Sequence, residues 1–188
     1  FRPGSRFGPP RIREASVGLE EYSPYLDRGL EEIAYFDAGD LPLPFGNAAR
    51  SLEMIGDYVR RLLEDGKLPI GLGGEHLVSW PVIREMHAKH PDMALIHIDA
   101  HADLREDYEG EPLSHATPIR KAAELIGGKN IYQFGIRSGT REEFAFARER
   151  LNLHPFEVLE PLRKVLPGLE GRPVYVTIDI DVLDPSAA

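Results

Sequence analysis

Cysteine is absent from the chain. That excludes a disulfide framework and any thiolate metal site, and it agrees with a reducing cytoplasm as the expected location. Long apolar runs are also missing. A membrane-spanning helix needs about 20 consecutive apolar residues, and no stretch approaches that. Nor does the sequence open on the basic-then-apolar pattern of a secretory leader. Basic residues are in the minority, 22 Lys and Arg against 31 Asp and Glu, for a net charge of -9. Phosphate recognition calls for clustered positive charge, so a nucleic-acid partner is not expected. An acidic surface is compatible with a small cationic substrate.

What is present is enough for one domain with its own core, since the chain has 188 residues. It opens on Phe1 rather than Met and stops at Asp184-Pro185-Ser186-Ala187-Ala188, directly after a strand-like run. The expectation is a single domain over residues 1–188, cut at both ends. Pro3, Gly4, Gly8, Pro9 and Pro10 make residues 1–16 read as loop. Residues 33–36 read as a short strand. Leu52, Ile55, Val59 and Leu62 repeat at helical spacing after Asn47, with Gly66 where a C-terminal cap belongs. Residues 68–72, 93–98, 131–135 and 174–178 read as buried strands. Helices are expected over 77–88, 118–126 and 141–151, the first with Pro81 in its opening turn. Alternating strands and helices predict an α/β fold, a three-layer α/β/α sandwich around a mostly parallel sheet.

Three polar clusters fall where those strands end: Gly73-Gly74-Glu75-His76, Asp99-Ala100-His101-Ala102-Asp103 and Asp179-Ile180-Asp181. The C-terminal edge of an open parallel sheet is where such folds place their ligands. Residues two apart on an extended chain share a face, so Asp99, His101 and Asp103 can converge, as can Asp179 and Asp181. Four carboxylates packed together repel unless protons or cations intervene. Oxygen and nitrogen donors without sulfur fit Mn²⁺, Fe²⁺ or Co²⁺ better than structural zinc. So many anionic ligands fit two metals about 3.5–4 Å apart, which together supply hydroxide at neutral pH. Hydrolysis is the natural reaction class.

Blander readings compete at each position. A lone Asp-x-Asp after a strand is more often a turn or a helix cap, and a Gly-Gly-x-His is weaker still; the Asp-x-His-x-Asp run is far more specific. Gly71, Gly73 and Gly74 lack the Lys-Ser/Thr of a phosphate loop and read as glycines for a tight turn. His97 shares the parity of Asp99 but lies deeper in its strand, where a satisfied core histidine is the better reading. Ser114 and His115 are adjacent and cannot form a catalytic triad. His87, His90 and His154 read as surface residues.

At these residues the sequence resembles the ureohydrolase (arginase/agmatinase) family. Gly73-Gly74-Glu75-His76, Asp99-Ala100-His101-Ala102-Asp103 and Asp179-Ile180-Asp181-Val182-Leu183-Asp184-Pro185 look like its three signature motifs, in family order. The flanking Arg2-Pro3-Gly4-Ser5-Arg6-Phe7-Gly8-Pro9, Tyr22-Ser23-Pro24-Tyr25-Leu26-Asp27 and Ser114-His115-Ala116-Thr117-Pro118 are closer to bacterial agmatinases than to arginases. The resemblance implies two Mn²⁺ ions per subunit, one held by His76, Asp99, Asp103 and Asp179, the other by Asp99, His101, Asp179 and Asp181. It implies attack of a bridging hydroxide on the guanidinium carbon of agmatine, giving urea and putrescine. Asp103 would orient the hydroxide and pass its proton to the leaving amine. His115 matches a rim histidine assigned to proton shuttling or substrate contact, and Arg137 falls in a segment near the family's substrate pocket. Family members are usually trimers or hexamers, so a homo-oligomer is expected. Another ureohydrolase, acting on arginine, guanidinobutyrate or formiminoglutamate, is the nearest alternative. A non-catalytic metal-binding or assembly fragment is the alternative from a different class.

Overall fold

Residues 93–98 carry apolar side chains at every position but His97, a pattern that suits a strand covered on both faces. The computed structural model, which describes residues 4–186, places β3 (Ala94–Ile98) there, with all five residues buried. Around it β4 (Ile131–Phe134), β5 (Asn152–His154) and β6 (Val174–Ile178) form a parallel sheet in the order β5-β4-β3-β6. The remaining strands, β1 (Tyr22–Ser23) and β2 (Arg28–Gly29), make a separate antiparallel pair.

The helices are α1 (Gly8–Ser16), α2 (Ala48–Glu64), α3 (Ser79–Lys89), α4 (Pro118–Ala122), α5 (Arg141–Arg150) and α6 (Leu159–Val165). Leu95 and Ile131 point to one face of the sheet, against Ile83 of α3, Ile119 and Ala122 of α4 and Ala147 of α5. Ala94, Ile96, Ile98 and Phe134 point to the other, against Leu162 and Val165 of α6. Helices thus cover both faces, and the expected three layers are present. A third cluster, with Ile55, Val59 and Leu63 of α2 against Met86 of α3, carries α2 on the outside.

Local chemistry accounts for the helix ends. Asn47 caps α2 by accepting from Arg50 N, and Gly66, at φ +68°, closes its far end. Thr140 and Glu143 form a reciprocal capping box on α5.

Several expectations fail. Residues 8–16 form α1 rather than loop, because Pro9 and Pro10 lie in the first turn, where a missing N–H is no loss; residues 1–3 lie outside the described residues. No strand forms at 33–36, where Tyr35 and Phe36 are exposed. Residues 68–72 are not a buried strand either. Leu68 and Ile70 are more than four-fifths exposed, and no neighbouring strand among the described residues offers the run a ladder. In β6, Val176 and Ile178 are exposed at the edge of the sheet, and β5 is a strand that periodicity did not indicate. His154, expected at the surface, belongs to β5 and stacks on Phe134 at 4.9 Å.

Candidate metal centre

The crossovers from β3 to β4 and from β4 to β5 move the chain one way across the sheet, and β6 then returns to the far side of β3. Strand order therefore reverses between β3 and β6, and the crevice at their C-terminal ends is the switch point that binds ligands in such sheets. Asp99 follows β3 directly and Asp179 follows β6. The Asp179 backbone N–H donates to Ile98 O at 2.9 Å, which locks the two strand ends together.

His76 arrives by another route. It starts a short 3-10 turn, His76–Val78, that leads into α3. Its ring lies against the β3–β6 pair with Nε2 2.9 Å from Thr177 Oγ1, itself 3.2 Å from Ser79 Oγ. Gly74 makes this approach practicable. A Cβ there would lie 2.5 Å from Ser5 O, so the N-terminal segment crosses directly over it. Close approach, rather than the tight turn expected from sequence, is what this glycine serves.

The six residues singled out converge. His76 Nδ1 lies 2.9 Å from Asp99 Oδ2, 3.0 Å from Asp103 Oδ2 and 3.7 Å from Asp179 Oδ2. His101 Nδ1 lies 2.9 Å from Asp181 Oδ2 and 3.6 Å from Asp99 Oδ1. Asp99 faces one histidine with each oxygen, as a ligand shared between two sites does. Its Oδ1 also accepts the His101 N–H at 2.7 Å, Asp179 Oδ1 accepts that of Asp181, and Asp181 Oδ1 accepts that of Ala100. Asp103 is held at φ +53°, a left-handed conformation uncommon outside glycine that Asp tolerates better than most side chains. Its carbonyl accepts the N–H groups of Ile119 and Arg120 and so finishes the start of α4.

The electrostatics call for cations. Burial and the charges of Asp99 and Asp179 push the Asp181 carboxyl up. Burial opposes a charge on His76, but the Asp103 and Asp99 carboxylates outweigh it and push the imidazole up to about 10. Asp99 is pulled far down despite its burial, by the adjacent His76 and His97 imidazoles. A buried His76 Nδ1 that makes no well-directed hydrogen bond, yet faces three carboxylates, fits a lone pair meant for a metal ion. Ligand atoms lie close enough together to hold an ion in two groups that share Asp99, one with His76, His97 and Asp103, the other with His101 and Asp181; Asp179 belongs to neither, its Oδ2 standing 3.7 Å from His76 Nδ1. The donor set therefore suits two divalent cations.

A cleft of about 870 Å³ opens over these residues, bounded by the 108–115 stretch and residues 138–140. His115 is in its wall, with Ser114 Oγ 3.1 Å from its Nδ1 and the Tyr108 ring at 5.3 Å. Arg137 is not part of the lining. Its guanidinium donates instead to the carbonyls of Asp181, Val182 and Leu183, at 2.7, 3.1 and 3.0 Å, and braces the third cluster from behind.

Sequence reasoning passed over three contributors. Glu75 also lines the cleft; burial, then the charge of Asp103, push its carboxyl up to about 7, and it stands 3.9 Å from His115 Nδ1. Thr177 supports His76, and its parity with Asp179 could have marked it. His97 is buried and satisfied as expected, but one of its partners is Asp99.

A parallel α/β domain that gathers carboxylates and imidazoles at its switch point thus carries the donor set of a metal-binding scaffold. A family model described as the arginase family matches residues 1–188. The chain belongs to that family. It is 71% identical to an agmatinase of Bacillus anthracis over all of this chain and 65% of that protein, so it spans about two thirds of the relative's length. Among solved structures, a putative agmatinase from Clostridium difficile matches with a TM-score of 0.95 at 42% identity, covering 98% of this chain and 67% of that one. The agmatine ureohydrolase of Thermoplasma volcanium matches at 0.87 and 32%, covering 99% and 64%. Among the described residues no helix is long and apolar enough to cross a membrane.

Proposed function

We propose that the protein hydrolyses agmatine to urea and putrescine with two Mn²⁺ ions held by His76, Asp99, Asp103, His101, Asp179 and Asp181. The observation that carries this reading is Asp99, whose two oxygens face His76 and His101 on opposite sides. Its similarity to agmatinases over the whole chain supports the choice of substrate.

Two divalent cations held by these residues would supply hydroxide at neutral pH. The residues of the chain do the rest. Asp103, buried beside His76, is the carboxylate able to take the proton of the attacking water and deliver it to the departing amine. In the balanced reaction a bond forms from the water oxygen to the guanidine carbon, and the bond from that carbon to the butyl nitrogen breaks. That nitrogen leaves as the amine once protonated. His115 and Glu75, together in the cleft wall, are the groups placed to meet the cationic substrate.

The test is urea release by the longest natural form of the protein, with Mn²⁺ and with agmatine, arginine or guanidinobutyrate in turn. Agmatine is expected to react with the highest kcat/KM, and Asp99→Asn or Asp179→Asn to lose bound metal and about 1000-fold or more of the rate, the scale of several kcal/mol of lost transition-state stabilisation. Full activity in either variant would overturn the mechanism, and preference for a carboxylate-bearing guanidine would overturn the substrate.

A further inference from the structure

His97 is fully buried in β3, two residues before Asp99 and on the same face. A buried imidazole must satisfy two nitrogens, and both partners here are informative. Nε2 lies 2.9 Å from Asp99 Oδ2, and Nδ1 lies 3.0 Å from Nε2 of Gln133, the residue beside it on β4.

Gln133 is also fully buried, and its amide nitrogen is 2.8 Å from Ala102 O. A backbone carbonyl only accepts, so the nitrogen of Gln133, not its oxygen, must face Ala102. The second hydrogen of that nitrogen then goes to His97 Nδ1, which must be an acceptor. The ring proton is left on Nε2 and is donated to Asp99 Oδ2. Neighbouring groups settle the tautomer, with no free choice at any link.

The arrangement has a cost. Gln133 Oε1 is buried without a partner among the described residues, a desolvation penalty that an apolar side chain of the same length would avoid. Packing alone therefore does not explain a glutamine here. Nor does His97 serve as a ligand itself, although it lies within reach of the first ligand group. Its Nε2 carries a proton and its Nδ1 is covered by Gln133.

We propose that Gln133 and His97 form a positioning relay, running from Ala102 O through both side chains to Asp99, that fixes this carboxylate as a ligand with two working sides. Asp99 then has one N–H donor on each oxygen, His97 Nε2–H on Oδ2 and the His101 backbone on Oδ1. Each oxygen keeps a lone pair for a cation, and the plane of the carboxylate cannot rotate. Ala102 lies inside the loop that carries His101 and Asp103, so the relay also ties the strand pair to that loop. Neither residue lines the cleft, and both act through Asp99.

The proposal rests on the cation reading above, and its test separates the two. Long-range proton–nitrogen spectra of ¹⁵N-histidine-labelled, metal-free protein, in its longest natural form, report the His97 tautomer directly. A neutral ring with its proton on Nε2 is expected in the wild type, and loss of that single state in Gln133→Met. Competitive titration then gives the Mn²⁺ affinity. It should fall about 10–100-fold in His97→Phe and Gln133→Met, and stay within about threefold in His97→Gln, whose amide nitrogen can still donate to Oδ2. KM for agmatine at saturating Mn²⁺ should not move in Gln133→Met. A proton found on Nδ1, or wild-type Mn²⁺ affinity in Gln133→Met, overturns the relay. Gln133→Met keeps both the imidazole and the packing volume, so it decides the matter even where His97→Phe fails to fold. A wild type that binds no Mn²⁺ overturns the cation reading, and the relay's role with it; the spectra still show whether the hydrogen-bonded chain exists.

Discussion

At the scale of single residues, His76 is a base held among acids. Without a cation, its imidazole is pushed up to about 10 by Asp103 and Asp99, against the pull of burial. A raised folded-state pKa means that the ion pair stabilises the metal-free fold fully below the ordinary histidine pKa of about 6.5. That contribution is lost as pH rises through about 10. A metal ion needs the same nitrogen unprotonated. Cation binding should therefore release a proton from His76 at any pH below about 10, and affinity should rise with pH up to that point. Calorimetric titration with Mn²⁺ at pH 8, in buffers of different ionisation enthalpy, counts the protons. A heat independent of buffer would show that His76 is already neutral.

At the scale of elements, the turns that carry the ligands are held from outside the cleft. Arg137, which follows β4, reaches the carbonyls of residues 181–183. Arg137→Met should weaken Mn²⁺ binding by about tenfold, as removal of a group that orients a ligand does. KM for agmatine at saturating Mn²⁺ should be unchanged. The opposite pattern, a raised KM with wild-type cation affinity, would return Arg137 to the substrate-contact role expected from sequence. The His76 turn depends on the crossing of residues 5–6 over Gly74. Gly74→Ala forces backbone against backbone and should destabilise by about 1–3 kcal/mol in urea denaturation. Gly18→Ala, which faces open space, should be neutral by comparison. Equal effects of the two would remove the close approach as the reason for the glycine.

At the scale of the whole molecule, the centre joins parts of the chain that are remote in sequence; His76 and its partner Thr177 are 101 residues apart. Divalent cations bound there act as a clasp on the native state alone. At a free concentration 100 times Kd each cation adds about 2.7 kcal/mol. For a chain of this size each kcal/mol raises Tm by about 2–4 °C, so each bound Mn²⁺ should raise Tm by about 5–10 °C over protein kept in chelator. Thermal unfolding followed by circular dichroism measures this. An unchanged Tm under saturating Mn²⁺ would mean that the ligands do not close on a cation in the folded state.

The candidate ligand set was legible because its chemistry is local. Asp-x-His-x-Asp and Asp-x-Asp place carboxylates on one face by strand periodicity, and β3, β4 and β6 announce themselves as β-branched and apolar runs between turn residues. The same local rules expected a strand at residues 68–72, an apolar run that has no ladder partner among the described residues. An apolar run becomes a strand only where a neighbour completes its ladder, and periodicity carries no information about neighbours. Arg137 shows the same limit, since its sequence position near a motif could not reveal that its donors end on carbonyls 44 to 46 residues away. Sequence alone thus determined which side chains could bind cations and the class of sheet that would present them. Tertiary structure decided which of those side chains face one another. It also decided that Asp99 stands between two histidines and that His97 and Gln133 support it from the core, because those contacts depend on strand order and register.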